Sequence, residues 1–355
     1  MSQQVKNGKE KDPRDAITRW ELLRVYGTAV FVALVVLVAT YQFVDPAPPR
    51  HIVMATGHPN GAYHAFGERY REVLGRQGIE VELRNTSGSV ENIGLLEDPE
   101  SGVSVAFVQG GTGRFAQGNT LHSIASLYYE PIWLVRRSDL PLSRLDDLAG
   151  LRVAIGPEGS GTRAVALELL VDVGLDASAA TLSPQTGAEA VAALEAGELD
   201  VLFLVGGPSS ANVLAALRAE GLALMSFKRA GAYVRHHRFL SEVLLPEGVI
   251  DMRENLPAQN VTLLSPAAML VVDENVHKAL TGLLLTAASE IHGGGGLLEA
   301  PGTFPSPHFV DLPLSATSKR YFESGPPFLA RVLPFWAAVM IVPLIAFMVP
   351  LFRFM

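Results

Sequence analysis

The sequence predicts an α/β fold with largely parallel sheets, lying between two hydrophobic segments near the ends of the chain. Short β-rich runs alternate with amphipathic helical patterns from residue 51 to residue 291, an order typical of α/β domains. The hydrophobic segments, residues 26–44 and 333–352, contain no charged side chain. The length of 355 residues suggests about two domains or lobes. With 48% hydrophobic residues, the chain is too apolar to remain disordered.

Each hydrophobic segment has the length of a membrane-spanning helix. The segments contain 19 and 20 residues, close to the roughly 20 that a bilayer requires. A cleaved signal peptide is the alternative for the first, although a tail of 25 residues precedes it and no small-x-small cleavage site follows. An interfacial or re-entrant helix is the alternative for the second, because Pro334, Pro343 and Pro350 interrupt it.

The distribution of lysine and arginine predicts the orientation of both ends. Six of these residues precede the first segment, whereas residues 45–50 contain only Arg50. We therefore expect both termini in the cytoplasm and the body outside it. The predicted parts are a cytoplasmic tail (1–25), a spanning helix (26–44), a stalk (45–50), an extracytoplasmic domain (51–330), a second spanning helix (333–352) and a cytoplasmic end (353–355).

The first half of the body alternates strands and helices. Residues 51–55 have the pattern of a strand, and a turn rich in Gly, Asn and Pro follows at 57–61. The next helix places these apolar side chains on one face: Ala62, Phe66, Tyr70, Val73 and Leu74. The remaining predicted elements are a strand at 79–83, a turn at 85–88, a helix capped by Ser89 that runs through Leu96, and a strand at 103–108.

The second half repeats the alternation. A strand at 151–155 leads through a glycine-rich loop into a helix at 162–173, which Gly174 ends. The later predicted elements are a helix at 188–196, a strand at 201–205, a helix carrying Val213, Leu214 and Leu217 that ends at Gly221, and a helix with a continuous apolar stripe from Val276 to Ile291.

Charge and composition exclude several classes of function. Lys and Arg total 28 against 36 Asp and Glu, giving a net charge of −8, whereas a nucleic-acid binder needs a basic surface. The absence of cysteine excludes disulfides, zinc-thiolate sites and thiol catalysis. The nine histidines do not have metal-ligand spacing, and no nucleophile or acid/base set can be assembled. We therefore expect neither a metal, a cofactor nor catalytic residues.

Three loops that lead from a strand into a helix favour the binding of an anion. They are Thr56–Tyr63, Ser87–Asn92 and Gly159–Arg163. Helix N-termini offer unpaired N–H groups and a partial positive charge, and the carboxyl ends of parallel strands bring such termini together. Hydroxyls of Ser89, Ser160 and Thr162 add donors, and the Arg163 guanidinium matches a carboxylate bidentately. Simple helix capping is the alternative for each loop taken singly.

Several motifs with this joint spacing resemble the TAXI-type solute receptors of tripartite ATP-independent periplasmic (TRAP) transporters. The matching stretches are Met54–Gly57 with Gly61–Tyr63, Ser87–Asn92, Val105–Gln109, Ser126–Pro131, Gly156–Arg163 and Phe203–Gly207. The segments His292–Gly296, Ser324–Phe328 and Leu333–Trp336 resemble a membrane-anchored subgroup of that family. Two features depart from the common pattern: the turn at 58–64, which contains His58 and His64, and the tether at each end.

The resemblance implies a two-lobed clamshell that binds glutamate, another amino acid or a dicarboxylate, and a TRAP permease as partner. Lobe boundaries of about 51–131 with 260–314, and 132–259, are expected. By position, the ligand-lining residues would be Thr56, Gly57, Tyr63, Ser89, Val90, Asn92, Gln109, Ser160, Thr162 and Arg163.

The sequence leaves three functions open. A tethered solute-binding receptor ranks first, since closure of two lobes sequesters a ligand. A ligand sensor that signals through a membrane or cytoplasmic partner ranks second, because the cytoplasmic tails are too short for a catalytic output domain. An extracytoplasmic enzyme ranks third, because no catalytic set is visible.

Overall fold

A computed structural model describes residues 48–175 and 179–326, together with Arg24, Tyr26–Thr28, Phe31 and Val35. The chain divides into two compact units, Pro48–Val332 and the terminal segments Met1–Ala47 with Leu333–Met355. The described residues of the terminal unit are helical and exposed. The rest of the predicted tails and spanning helices lies outside the described residues. Among the residues described, no helix is both long and apolar enough to cross a bilayer.

Lobe 1, residues 48–130 and 266–326, is built on a five-stranded sheet of order β2-β1-β3-β12-β4. Strand β1 is parallel to β2 and β3, and β12 is antiparallel to β3 and β4. The strands are β1 (His51–Ala55), β2 (Glu80–Arg84), β3 (Val103–Gln109), β4 (Leu121–Tyr129) and β12 (Ala267–Asp273). The helices are α1 (Ala62–Gly75), α2 (Ser89–Glu97), α7 (Lys278–His292) and α8 (Ala316–Ser324).

Lobe 2, residues 131–265, is built on a seven-stranded sheet of order β10-β11-β5-β8-β6-β7, with β9 paired to β5. The strands are β5 (Ile132–Arg137), β6 (Arg152–Ala154), β7 (Thr181–Ser183), β8 (Val201–Val205), β9 (Leu222–Leu224), β10 (Ser241–Leu245) and β11 (Val261–Ser265). The helices are α3 (Gly161–Asp172), α4 (Gly187–Glu195), α5 (Ala211–Arg218) and α6 (Ala230–His236).

The chain passes between the lobes at Glu130–Pro131 and at Ser265–Pro266. The Glu130 N–H donates to the Pro266 carbonyl at 2.9 Å and joins the two crossings. The sequence predicts the return to lobe 1 at about residue 260. In the structure the second crossing lies later, at Ser265–Pro266, because β11 pairs with β10 of lobe 2.

The two-sheet α/β architecture agrees with the predicted fold class, but the prediction of largely parallel sheets is wrong. Parallel pairing is confined to β1–β2, β1–β3, β6–β7 and β6–β8 within the described sheets. Strand β4 leads out of lobe 1 at the first crossing and β12 leads back into it at the second, so these two strands run in opposite directions. In lobe 2, β5 follows the first crossing and β11 precedes the second, with the same result. Each pair is therefore antiparallel.

Strand β8 shows how the core of lobe 2 is arranged. Val201 and Phe203 belong to one buried cluster, and Leu202 and Leu204 belong to another. Alternate side chains of a strand point to opposite faces, so this sheet is buried on both sides. Helix α3 contributes to the first cluster and α4 to the second, which gives a helix–sheet–helix sandwich.

Helix α2 begins differently from the expectation. Gly88 is its N-cap, with a φ of 130°, and Ser89 is the first helical residue. The Ser89 hydroxyl instead accepts a hydrogen bond from the Gln109 N–H at 2.9 Å. The predicted cap at Ser89 is therefore wrong, because the end of β3 competes for the hydroxyl. The N-cap of α3 is Ser160, whose Oγ accepts from the Arg163 N–H at 3.2 Å.

Candidate functional site

The N-terminus of α2 in lobe 1 meets the N-terminus of α3 in lobe 2. The Val90 N–H donates to the Gly159 carbonyl at 3.1 Å. The Gln109 side-chain amide donates through Nε2 to the Gly161 carbonyl, also at 3.1 Å. Two of the three predicted loops, one from each lobe, are thus in direct contact, and Gln109 at the end of β3 joins them.

Glycine at position 161 permits this close approach. A Cβ at this position would lie 2.7 Å from Oε1 and 3.2 Å from Cβ of Gln109, well inside van der Waals contact. The Gln109 side chain is itself 4% exposed, so it has little room to move away. The absence of a side chain at Gly161 therefore allows the amide of lobe 1 to reach the helix backbone of lobe 2.

Thr56 and Asn92 connect the ends of neighbouring elements in lobe 1, and both are fully buried. The Asn92 Nδ2 group donates to the carbonyls of Thr56 at 2.5 Å and Phe107 at 2.8 Å, and Oδ1 accepts from the Thr86 hydroxyl at 2.7 Å. The Thr56 hydroxyl donates to the Arg84 carbonyl at 3.1 Å. These polar groups therefore hold the loops after β1 and β2 in place.

Tyr63, in the first turn of α1, is directed into the interior of lobe 1. Its ring stacks on Phe107 with centroids 5.3 Å apart. A Cβ added to Gly57 would lie 3.6 Å from the Tyr63 ring, so these two residues are neighbours. The Tyr63 hydroxyl donates to the Glu130 carboxylate at 2.7 Å. The tyrosine hydroxyl is therefore engaged at the first crossing between the lobes.

The remaining predicted residues lie at the start of α3. The Ser160 hydroxyl donates to the Pro157 carbonyl at 2.7 Å, and the Arg163 Nη1 group donates to the Gly156 carbonyl at 3.3 Å. Thr162 and Arg163 are both half-buried. Arg163 is therefore a cation held beside the contact between the lobes.

Glu130 is a buried ionisable group that the sequence analysis did not select as a site residue. Its carboxylate accepts hydrogen bonds from Tyr63 at 2.7 Å and from Tyr128 at 3.3 Å. Burial raises the pKa of Glu130 to about 7, and the two tyrosine hydroxyls act against that rise. A charged residue at the end of the apolar run Leu127–Tyr129 was the available signal.

Tyr63 and Tyr128 are buried together with Glu130. Burial raises the pKa values of Tyr63 and Tyr128 well above their ordinary range, and the nearby Glu130 carboxylate adds to both shifts. The Tyr128 ring stacks on His292 with centroids 5.6 Å apart. Burial lowers the pKa of His292 to about 3, so this imidazole is neutral at physiological pH.

The contact between the lobes brings together groups that can bind an anion, the Arg163 guanidinium among them. It combines helix N-termini, hydroxyls and one guanidinium at the contact between two lobes. Within residues 48–175 and 179–326, no group of three or more His, Cys, Asp or Glu side chains is placed to hold a metal ion.

A family model described as the NMT1-like family matches residues 54–281. This range contains every predicted ligand-lining residue and both crossings between the lobes. The chain belongs to the NMT1-like family.

This NMT1-like protein is also similar to several solved binding proteins at low sequence identity. The periplasmic aliphatic sulphonate binding protein SsuA from Escherichia coli is 15% identical, with a TM-score of 0.46 over 69% of this chain and 74% of that chain. The alkanesulfonate-binding protein SsuA from Xanthomonas axonopodis pv. citri is also 15% identical, with a TM-score of 0.46 over 70% and 75%. An ancestral arginine-binding protein is 12% identical, with a TM-score of 0.44 over 68% and 92%.

Proposed function

We propose that this NMT1-like protein is an extracytoplasmic receptor that binds a small carboxylate, such as a glutamate-like amino acid or a dicarboxylate, between its lobes. The observation that carries the proposal is the meeting of the α2 and α3 N-termini, through the bond from Val90 N–H to the Gly159 carbonyl. Such termini favour anions because their backbone N–H groups and dipoles point at the same place.

The bonds across the contact support a mechanism of opening and closing. Val90 is one of the residues that the resemblance implies for the ligand site, and its N–H is taken by a carbonyl of lobe 2. A ligand anion at this group requires the lobes to separate and then to close around it. The two crossings at Glu130–Pro131 and Ser265–Pro266 are the natural hinges, because they are the described connections between the sheets.

In the proposed complex each predicted residue has a distinct role. Arg163 pairs with the ligand carboxylate, and Ser160 and Thr162 add hydroxyl donors beside it. Val90 and Gln109 contribute donors from lobe 1 once their bonds to lobe 2 are released. Tyr63 and Gly57 form the apolar wall, whereas Thr56, Ser89 and Asn92 hold the loops that carry these groups.

The two hydrophobic segments support a tether at each end and a partner in the membrane. We place both termini in the cytoplasm and the lobes in the periplasm, with a permease of the TRAP type receiving the ligand. Tethering raises the effective concentration of the receptor at such a partner. The described residues Tyr26, Phe31 and Val35 are exposed apolar side chains on a helix, which suits contact with lipid.

Native mass spectrometry of the full-length protein in mild detergent tests the binding function directly. We expect a small co-purifying mass that is released on unfolding. L-glutamate and succinate, titrated by calorimetry, then distinguish an amino acid from a simple dicarboxylate. Absence of a co-purifying mass together with absence of heat for both probes would contradict the proposal.

Substitution of Arg163→Ala tests the anion-binding role of its guanidinium. A charge-assisted hydrogen bond contributes about 1.5–3 kcal/mol, so we expect roughly a 10- to 150-fold loss of affinity with unchanged thermal unfolding. Arg235→Ala, which removes an exposed arginine from the same lobe, is the matched control and should bind normally. Equal affinities of the two variants would remove Arg163 from the site.

A further inference from the structure

A second contact between the lobes lies beside the candidate site and is centred on Arg114. Arg114 is part of a short 3-10 turn, Gly113–Phe115, that follows β3 of lobe 1. Its Nη1 group forms an ion pair with Glu168, and its Nη2 group donates to the Ala164 carbonyl at 3.1 Å. Glu168 and Ala164 belong to α3, the helix whose N-terminus contacts Val90 and Gln109.

The turn that carries Arg114 is held in place by contacts from both lobes. The Asp311 carboxylate accepts hydrogen bonds from the Gly111 N–H at 2.8 Å and the Gly113 N–H at 3.0 Å. Gly111 has a φ of 90°, and Phe239 of lobe 2 packs where a Cβ would be, at 2.5 Å. These contacts orient the guanidinium toward α3.

The partner carboxylate is also held in place, by His237 of lobe 2. The second oxygen of Glu168 lies 3.1 Å from His237 Nδ1, and His237 Nε2 lies 2.5 Å from Asp172 Oδ2. Glu168 and Asp172 are one helical turn apart on α3, so the imidazole bridges them. The Glu168 side chain is 18% exposed, which reduces screening of its pair with Arg114.

We propose that Arg114 is a closure latch, which holds lobe 1 on helix α3 through Glu168 and the Ala164 carbonyl and so sets the balance between open and closed receptor. Lobe 1 contacts this part of lobe 2 from Gly159, in the loop before α3, to Glu168 within the helix, and Arg114 makes the contacts at Ala164 and Glu168. In the receptor this latch would determine how long a bound ligand is retained. This role in ligand retention rests on the proposed function.

Distances between spin labels measure this balance without any ligand. The native chain has no cysteine, so A65C on α1 and A192C on α4 place one label on each lobe, at exposed positions. In the full-length protein, Arg114→Ala should raise the ratio of open to closed molecules about two- to fivefold, the range expected for an ion pair that is partly exposed. Glu168→Gln should shift the distribution in the same direction.

Arg71→Ala is the matched control, because Arg71 pairs with Glu68 within α1 and does not reach lobe 2. Circular dichroism checks that each variant is folded. If the Arg114→Ala protein is not folded, the Glu168→Gln protein decides the outcome. Distance distributions identical to the parent in the folded latch variants would overturn the proposal. If the protein does not bind the proposed ligands, the ligand titrations show it. The spin-label distances are measured without ligand and test the latch in either case.

Discussion

At the scale of single residues, lobe 1 contains, beside the first crossing, a carboxyl group that is 4% exposed and has no charged partner among the described residues. Glu130 accepts hydrogen bonds only from tyrosine hydroxyls there, at 2.7 and 3.3 Å. A buried carboxylate without a cation is costly, and this cost explains why burial raises the pKa of Glu130 to about 7. The protonation of this group therefore affects the stability of the fold near neutral pH.

The raised pKa of Glu130 predicts a pH-dependent stability. The unfolded chain releases this proton near the ordinary value of 4.5, and the folded chain releases it near 7. Glu130 binds more protons in the folded state between these values, so its contribution to the free energy of unfolding falls as the pH rises through this window and levels off above it. His292, whose pKa burial lowers to about 3, contributes in the opposite sense up to its ordinary value of 6.5, so the Glu130 effect is the difference between the parent and a Glu130 variant. The full effect is about 3 kcal/mol. Urea unfolding at pH 5 and pH 8 measures it.

Glu130→Gln should remove this pH dependence, because the amide keeps an acceptor for the tyrosines and carries no charge. We expect the fall in stability that Glu130 causes between pH 5 and pH 8 to disappear, so that the remaining pH dependence has the opposite sign, set by the lowered pKa of His292. Glu100→Gln, at an exposed position in the same lobe, should keep the slope of the parent. A Glu130→Gln protein with the parental slope would show that another group is responsible.

At the scale of elements, Asp200 fastens the short strand β6 to the start of β8. Its carboxylate accepts hydrogen bonds from Arg152 through the backbone N–H at 2.9 Å, Nε at 2.9 Å and Nη2 at 2.7 Å. The Arg152 side chain is the main cause of the lowered pKa of Asp200. Since β6 has only three residues and leads into the loop before α3, this bond set helps to position the candidate site.

Asp200→Asn should therefore destabilise lobe 2 by about 1.5–3 kcal/mol at pH 7, the range for hydrogen bonds to a charged group. Because the pKa is lowered, the contribution is present above the ordinary value of 3.8 and is lost as the pH falls below it. Trp133, fully buried in lobe 2, reports unfolding by fluorescence. Glu195→Gln, at an exposed position on α4, is the control, and equal midpoints for both variants would contradict the assigned role.

At the scale of the whole molecule, two lobes are joined by two crossings, and the chain continues beyond the lobes in a hydrophobic segment at each end. The proposed membrane arrangement predicts the location of both termini. Reporter enzymes that are active only outside the cytoplasm should be inactive when fused to Met1 or Met355, and active when inserted in the body. Activity of the fusion at Met355 would show that residues 333–352 do not span the membrane.

The site combines residues that the sequence identified with residues that it did not. The loops at 87–92 and 159–163 were selected because glycine and hydroxyl residues precede helices, and they do contact each other through Val90 and Gly159. The ligand-lining roles of these residues remain a prediction. Arg114 and Glu168 were not selected, because they are 54 residues apart and each has the pattern of an ordinary solvated charge.

The sequence alone was sufficient for features that depend on neighbouring residues. Strand β8 follows from a short continuous apolar run and α7 from its apolar stripe, and the net negative charge and the uncharged end segments follow from composition. Only the tertiary structure decided the antiparallel direction of β4 against β12, the burial of Glu130 and the meeting of Arg114 with Glu168. The physical reason is that periodicity and capping act within a few residues, whereas register and contact between lobes depend on how distant segments share one core.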